Sequence, residues 1–139
     1  VRVVAELRVR YGDTDAAGLV YYANYLRYFE AARVEYLRQL GQTYREIEAG
    51  GVVLAVTQAI CRYHAPARFD DLLALSCRIA DLRRASFAFE YEIHRLPDGA
   101  LIASGRTEHA CVDRETLRPV RMPEPLRALV AAFETGSSR

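Results

Sequence analysis

Apolar side chains alternate between residues 2 and 11, at Val3, Ala5, Leu7, Val9 and Tyr11, which is the period of a half-buried strand. A turn of small residues follows at 12–18. From Asn24 the spacing lengthens to that of a helix, with Tyr25, Phe29, Ala32, Tyr36 and Leu40 on one stripe and Leu26, Arg33 and Leu37 beside it. Asn24 is the expected N-cap, and Gly41 the expected left-handed residue that ends the helix. Such a helix is about 25 Å long.

A short helical turn is expected at 43–49, closed by Gly50 and Gly51. Four extended runs follow, at 52–64, 72–82, 86–95 and 101–112. Pro97-Asp98-Gly99 makes the last two a hairpin. Prolines at 119, 123 and 125 break the chain around the start of a final amphipathic helix, 124–133, and residues 136–139 read as a flexible tail. One strand, one long helix and four antiparallel strands form an α+β order. Its economical packing wraps a curved sheet around the helix stripe, as a single domain over residues 1–135.

Composition narrows the possible functions. The chain has 139 residues, 51% of them hydrophobic, and a formal net charge of +1, so a packed soluble core is expected. A nucleic-acid binder would carry a net basic stripe, which this balance does not provide. Every basic residue is arginine, a bias given no functional weight. No apolar run reaches the roughly 20 residues that span a bilayer, and no secretory leader opens the chain. Cys61, Cys77 and Cys111 are odd in number and widely spaced. They read as reduced core residues of a cytoplasmic protein rather than a disulfide framework or a zinc site.

The chemistry concentrates in residues 9–25, Val-Arg-Tyr-Gly-Asp-Thr-Asp-Ala-Ala-Gly-Leu-Val-Tyr-Tyr-Ala-Asn-Tyr. Two acids, Asp13 and Asp15, sit in a turn just ahead of an aromatic-rich helix. An aspartate there commonly makes only a turn hydrogen bond. The same position also allows a carboxylate and the free N–H groups of a helix start to face one carbonyl carbon. Asp13 reads as structural. His64, His94 and His109 lack metal-ligand spacing; His94 and His109 read as half-buried strand residues, and His64 reads as an ordinary turn residue more readily than as a neighbour of the site.

The 9–25 stretch closely resembles the signature of the hotdog-fold acyl-CoA thioesterases of the 4-hydroxybenzoyl-CoA thioesterase-like family. The resemblance continues through Glu30-Ala31-Ala32-Arg33, through Tyr63-His64-Ala65-Pro66-Ala67-Arg68-Phe69-Asp70-Asp71, and through Cys111-Val112-Asp113 with Arg118-Pro119. These segments span nearly the whole chain in order. The branch most similar is the acyl-CoA thioesterases associated with the bacterial Tol-Pal gene cluster. Tyr22 stands where many of that branch carry histidine, and is closer to the 4-hydroxybenzoyl-CoA enzymes.

The resemblance implies a hotdog fold, one long helix wrapped by a five-stranded antiparallel sheet. It implies hydrolysis of a short-chain aliphatic or aromatic acyl-CoA to free acid and coenzyme A. Asp15 falls on the family's catalytic carboxylate, and the oxyanion donor on the backbone N–H near Tyr22. Arg83 and Arg84, with Ser86, match the basic turn that meets the coenzyme A phosphates, with Ala85 where some members have a third basic residue. Tyr21, Tyr25 and Phe29 are candidates for the acyl pocket or for plain core. No metal and no cofactor beyond the substrate's coenzyme A is implied. The expected assembly is a homodimer or a homotetramer of two dimers, with Arg83 and Arg84 serving the partner's Asp15.

Three other readings compete with this one. A non-catalytic module would hold acyl-CoA or acyl carrier protein. A hotdog dehydratase would pair an acid with a histidine, and none lies in the Asp15 turn. Asp13-Thr14-Asp15 also resembles the paired acids of haloacid-dehalogenase-type phosphatases. Those follow a continuous apolar strand, whereas Arg8, Arg10 and Gly12 interrupt this one.

Overall fold

The computed structural model describes residues 2–137. Strand β1 (Arg2–Arg8) leads through a 3₁₀ turn at Tyr11–Asp13 to helix α1 (Asn24–Leu40) and the short α2 (Tyr44–Ala49). Strands β2 (Val52–Tyr63), β3 (Leu72–Ala80), β4 (Ser86–Leu96) and β5 (Leu101–Asp113) follow, and α3 (Glu124–Ser137) closes the described chain. The five strands form one antiparallel sheet in the order β1-β3-β4-β5-β2. This leaves β1 and β2 at the edges. No helix among the described residues is long and apolar enough to cross a membrane.

The alternation of β4 decides which face meets α1. Phe87, Phe89, Tyr91 and Ile93 are buried against the helix, while Glu90, Glu92 and His94 point away. From the helix side the predicted stripe of Tyr25, Phe29, Ala32, Tyr36 and Leu40 is buried throughout, joined by Tyr28 and Leu37. Full burial of each such large side chain is worth about 1.5–3 kcal/mol. Phe29 stacks on Tyr91 at 4.3 Å between centroids, and Tyr36 meets Phe89 and Phe133 edge-on at 5.4 and 5.0 Å. Opposite Tyr91 on β5 stands Gly105. A Cβ there would lie 2.3 Å from the Phe29 ring and 2.6 Å from the Ile60 carbonyl oxygen, so the strand passes under the ring only as glycine.

The same inward phase of β5 carries two polar residues, Thr107 and His109, both buried. They form part of a directed chain. The Arg33 guanidinium donates to the Tyr91 hydroxyl (3.5 Å). Tyr91 then bonds Thr107 (2.6 Å), and Thr107 bonds His109 Nε2 (2.7 Å). His109 Nδ1 faces the Leu54 carbonyl at 3.5 Å. A neutral imidazole protonated on Nδ1 satisfies every member of this chain. Burial drives its pKa down to about 4, the Arg33 charge pushes the same way, and the bond to the Leu54 carbonyl opposes both. His109 is therefore fully buried rather than half-buried as expected. Burial also pushes up the thiols of Cys61, Cys77 and Cys111.

Several boundaries differ from the sequence expectation. β1 stops at Arg8, because Val9 leaves the ladder to exchange backbone hydrogen bonds with Asp70 and Asp71 (3.0 and 2.9 Å), and Tyr11 enters the 3₁₀ turn. Asn24 does not cap α1; the N-cap position is Ala23, and the Asn24 amide reaches back to the Asp13 carbonyl. Gly41 ends the helix at φ +106°, as expected. α3 runs to Ser137, two residues into the expected tail, and residues 138 and 139 lie outside the described residues.

Two outcomes follow for stability. Gly105→Ala should lower stability by roughly 2–3 kcal/mol, the upper range of overpacking, because a backbone oxygen blocks relaxation. Urea unfolding with an unchanged midpoint would contradict the packing argument. His109 titrates near 6.5 when unfolded, so its contribution is complete above that pH and is lost as pH falls toward 4, about 2 kcal/mol by pH 5. His109→Gln should therefore flatten the decline in melting temperature between pH 7 and 5. An equally steep decline in the variant would show that His109 is not its source.

Candidate active site

The turn ahead of α1 is organised by Asp13, which is buried. Its carboxylate accepts from the Arg10 N–H (3.0 Å) and from the Tyr28 hydroxyl on α1 (3.0 Å), with the Arg10 guanidinium at 3.4 Å. Burial alone would raise its pKa. The Arg10 N–H, the Tyr28 hydroxyl and the Arg10 charge together outweigh that and hold it below the ordinary carboxylate value. The Asp13 carbonyl accepts from the Tyr21 N–H and the Asn24 side-chain amide, each at 2.9 Å. One residue thus ties the turn to the helix through both its main chain and its side chain.

Asp15 sits at the tip of this turn, exposed. Its Oδ1 accepts from the N–H groups of Ala17 (2.9 Å) and Leu19 (3.3 Å), and its own N–H donates to the Leu19 carbonyl (2.8 Å). Gly18, at φ +80°, supplies the left-handed bend that closes the loop. Oδ2 has no hydrogen-bond partner among the described residues. The turn bond and an available carboxylate oxygen therefore coexist on one side chain. The bonds to Oδ1 fix the direction in which Oδ2 points.

The chain then enters α1 with two N–H groups unspent. Tyr21 N–H is taken by Asp13, and the N–H groups of Asn24, Tyr25 and Leu26 bond the carbonyls of Tyr21, Tyr22 and Ala23 at 2.9, 3.4 and 3.2 Å. The N–H groups of Tyr22 and Ala23 have no acceptor among the described residues. They lie at the positive end of a 17-residue helix. Beside them is an open pocket of about 370 Å³, walled by Leu19, Val20, Tyr22, Tyr25, Tyr63 and the turn at 64–66. His64 stands in this wall with Nε2 2.8 Å from the Ser104 hydroxyl.

The aromatic candidates separate. Tyr25 lines the pocket, whereas Tyr21 is exposed, leans on Tyr22 at 4.7 Å and is not in the wall. Phe29 is sealed between Tyr91 and Gly105, so it is core and not pocket wall. Tyr63 is a wall residue that the sequence reading left out. Its place before the turn at 64–66 was the available signal, but nothing local says that the end of β2 returns to the start of α1.

Arg83 and Arg84 lie on the turn between β3 and β4, exposed, with no hydrogen bond or ion pair from either guanidinium among the described residues. Their backbone is held in place. Arg83 N–H donates to the Ser86 carbonyl (2.8 Å), Met122 N–H donates to the Arg84 carbonyl (2.9 Å), and the Arg127 guanidinium reaches both carbonyls. The Asp15 loop touches the opposite end of β3, through the Leu19–Arg68 bridge. Nine residues of strand, about 30 Å, separate the two ends. A single chain does not bring Arg83, Arg84 or Ser86 to Asp15.

A second open pocket, about 440 Å³, runs between α1 and the β2 edge, with Leu26, Glu30, Arg33, Val56 and Ala59 in its wall. Leu26, Val56, Ile60 and Tyr63 expose apolar surface along this edge. No group of three or more His, Cys, Asp or Glu among the described residues is placed to hold a metal ion.

The sequence pattern of the thioesterase-like superfamily matches residues 9–130. The chain is 35% identical to the acyl-CoA thioesterase YbgC of Haemophilus influenzae, over 88% of this chain and 89% of that one. Among solved structures, a hypothetical protein from Thermus thermophilus superposes with a TM-score of 0.88 at 35% identity, over 94% of this chain and 98% of the other. Slr0204, a 1,4-dihydroxy-2-naphthoyl-CoA thioesterase from Synechocystis, superposes with a TM-score of 0.87 at 25% identity, over 95% and 97%.

Proposed function

The chain belongs to the thioesterase-like superfamily, and from that premise we propose that it is an acyl-CoA thioesterase in which Asp15 and the N–H groups at the start of α1 carry the reaction. The observation behind this is the Asp15 carboxylate itself. One oxygen is pinned by two turn N–H groups and the other has no partner among the described residues; Leu19, which bonds the pinned oxygen, shares a pocket wall with Tyr22, whose N–H is unspent. Water adds across the carbonyl–sulfur bond to give a carboxylic acid and the thiol of coenzyme A. The Tyr22 N–H stabilises the oxyanion as the carbonyl carbon becomes tetrahedral. Asp15 either takes a proton from the attacking water and passes it to the departing thiolate, or adds to the carbonyl itself and expels that thiolate, giving a mixed anhydride that water then opens. Both routes begin at the same free oxygen and need no metal or cofactor.

The acyl group is aromatic or short aliphatic, a fit suggested by the walls of Tyr22, Tyr25 and Tyr63. The aromatic substrate of one structural relative supports the first option. Within the family the chain falls in the Tol-Pal-associated branch and works in the cytoplasm. Two chains pair through their β2 edges, which satisfies the unpaired strand and covers Leu26, Val56 and Ile60. That pairing gives the exposed Arg83–Arg84 turn a role at the partner's Asp15, where it meets the coenzyme A phosphates. A tetramer of two such dimers completes the assembly.

Thiol release from a panel of aliphatic and aromatic acyl-CoAs tests the chemistry. Asp15→Asn should lose at least ~100-fold in turnover while keeping its fold, as expected for removal of a catalytic group. Undiminished turnover in the variant would remove Asp15 from the mechanism. Tight acyl-CoA binding without turnover on any substrate would favour the non-catalytic carrier module. Light scattering tests the assembly: wild type should run as a dimer or tetramer, and Ile60→Glu should dissociate it. A wild-type monomer would refute the β2 pairing.

A further inference from the structure

We propose that Tyr63 is a positioning residue for the oxyanion site, its hydroxyl fixing and polarising the Tyr22–Ala23 peptide so that Ala23 N–H donates alongside Tyr22 N–H. The proposal rests on the reading of the α1 start as the oxyanion site and adds to it a second donor and the residue that prepares it. The Tyr63 hydroxyl lies 3.1 Å from the Tyr22 carbonyl oxygen and donates to it. That oxygen and the Ala23 N–H belong to one peptide unit. A hydrogen bond to the carbonyl draws electron density away from the nitrogen and makes its N–H a stronger donor.

Without Tyr63 the Tyr22 carbonyl would keep only the Tyr25 N–H, at a long 3.4 Å. The first turn of α1 is therefore loosely bonded by its own backbone. It is braced instead from two sides: Asp13 holds the Tyr21 N–H, and Tyr63 holds the Tyr22 carbonyl. The two braces engage neighbouring groups and leave only the Tyr22 and Ala23 N–H groups free. Tyr63 reaches this point from the last residue of β2, and its ring stands edge-on to that of Tyr25 at 5.4 Å. Burial, with the Cys61 thiol beside it, pushes the Tyr63 phenol up to about 12, so the hydroxyl keeps its proton and donates through the neutral range.

Tyr63→Phe keeps the ring and its contact with Tyr25 and removes only the donor. With the full chain and an acyl-CoA substrate, kcat should fall roughly ten-fold, less than the ~10²–10³ lost when an oxyanion donor itself is deleted. KM should stay within about two-fold. Incorporating 3-fluorotyrosine at 63, a more acidic phenol, should hold kcat at or above the wild-type value. In the Tyr63→Phe variant the amide proton of Ala23 should shift upfield in an NMR spectrum, while amides in the middle of α1 keep their positions. A KM effect with unchanged kcat would make Tyr63 pocket wall only and overturn the proposal, as would an unmoved Ala23 amide. If wild type turns over no acyl-CoA, the thioesterase reading fails separately, and the Ala23 amide shift alone decides whether Tyr63 polarises this peptide.

Discussion

The stacking of Phe29 on Tyr91 above Gly105 sets how closely α1 approaches the sheet. With the rings 4.3 Å apart and no Cβ beneath them, the helix axis and strand β5 have one workable separation. Everything that meets across that gap inherits its geometry. The Tyr36 contacts with Phe89 and Phe133 fix the far end of the helix, and the Tyr25 contact with Tyr63 fixes the near end. A close-packed interior transmits such constraints because it has no slack to absorb them. The start of α1 is thereby held where the end of β2 can reach it.

Within the turn that precedes α1, two aspartates two residues apart do different work because their surroundings differ. Asp13 is buried and spends its carboxylate on Arg10 and Tyr28. Asp15 is exposed and spends only one oxygen on the turn. The buried acid provides rigidity, and the exposed one is left with capacity to act on a ligand. The polar chain from Arg33 to Leu54 is a further case of a buried group made tolerable by partners. His109 is accommodated because each neighbour in turn has a proton to give or a lone pair to receive it.

Much of the fold was legible in the sequence because it is written in period. The bounds 24–40 of α1, the short α2 after Thr43 and the four later strands all follow from apolar spacing and from glycine and proline punctuation. The errors fall where a distant partner decides. Val9 is apolar and in phase with β1, yet it leaves the strand to pair with Asp70 and Asp71. Asn24 has the chemistry of an N-cap, yet the Asp13 carbonyl claims its amide. His109 is in the inward phase of β5, so its burial was readable from alternation, but the chain of hydroxyls that makes it tolerable was not.

The candidate site divides along the same line. Asp15, the small-residue turn and the helix start behind it are neighbours in sequence; local chemistry made them candidates, and the family resemblance, not spacing, favoured Asp15 over a plain turn residue. Tyr21, Tyr25 and Phe29 share a helical stripe, but only packing separates an exposed ring, a pocket wall and a core residue. Tyr63 and His64 join the pocket by a return of the chain that no local pattern encodes, and Arg83 with Arg84 ends up about a strand's length from Asp15. By itself the sequence determined which segments become helix and strand and where the candidate carboxylate lies, since both depend on residues a few positions apart. Tertiary structure alone decided which rings face the pocket, which N–H groups stay free and which basic turn stays out of reach, since each depends on contacts between residues far apart in the chain.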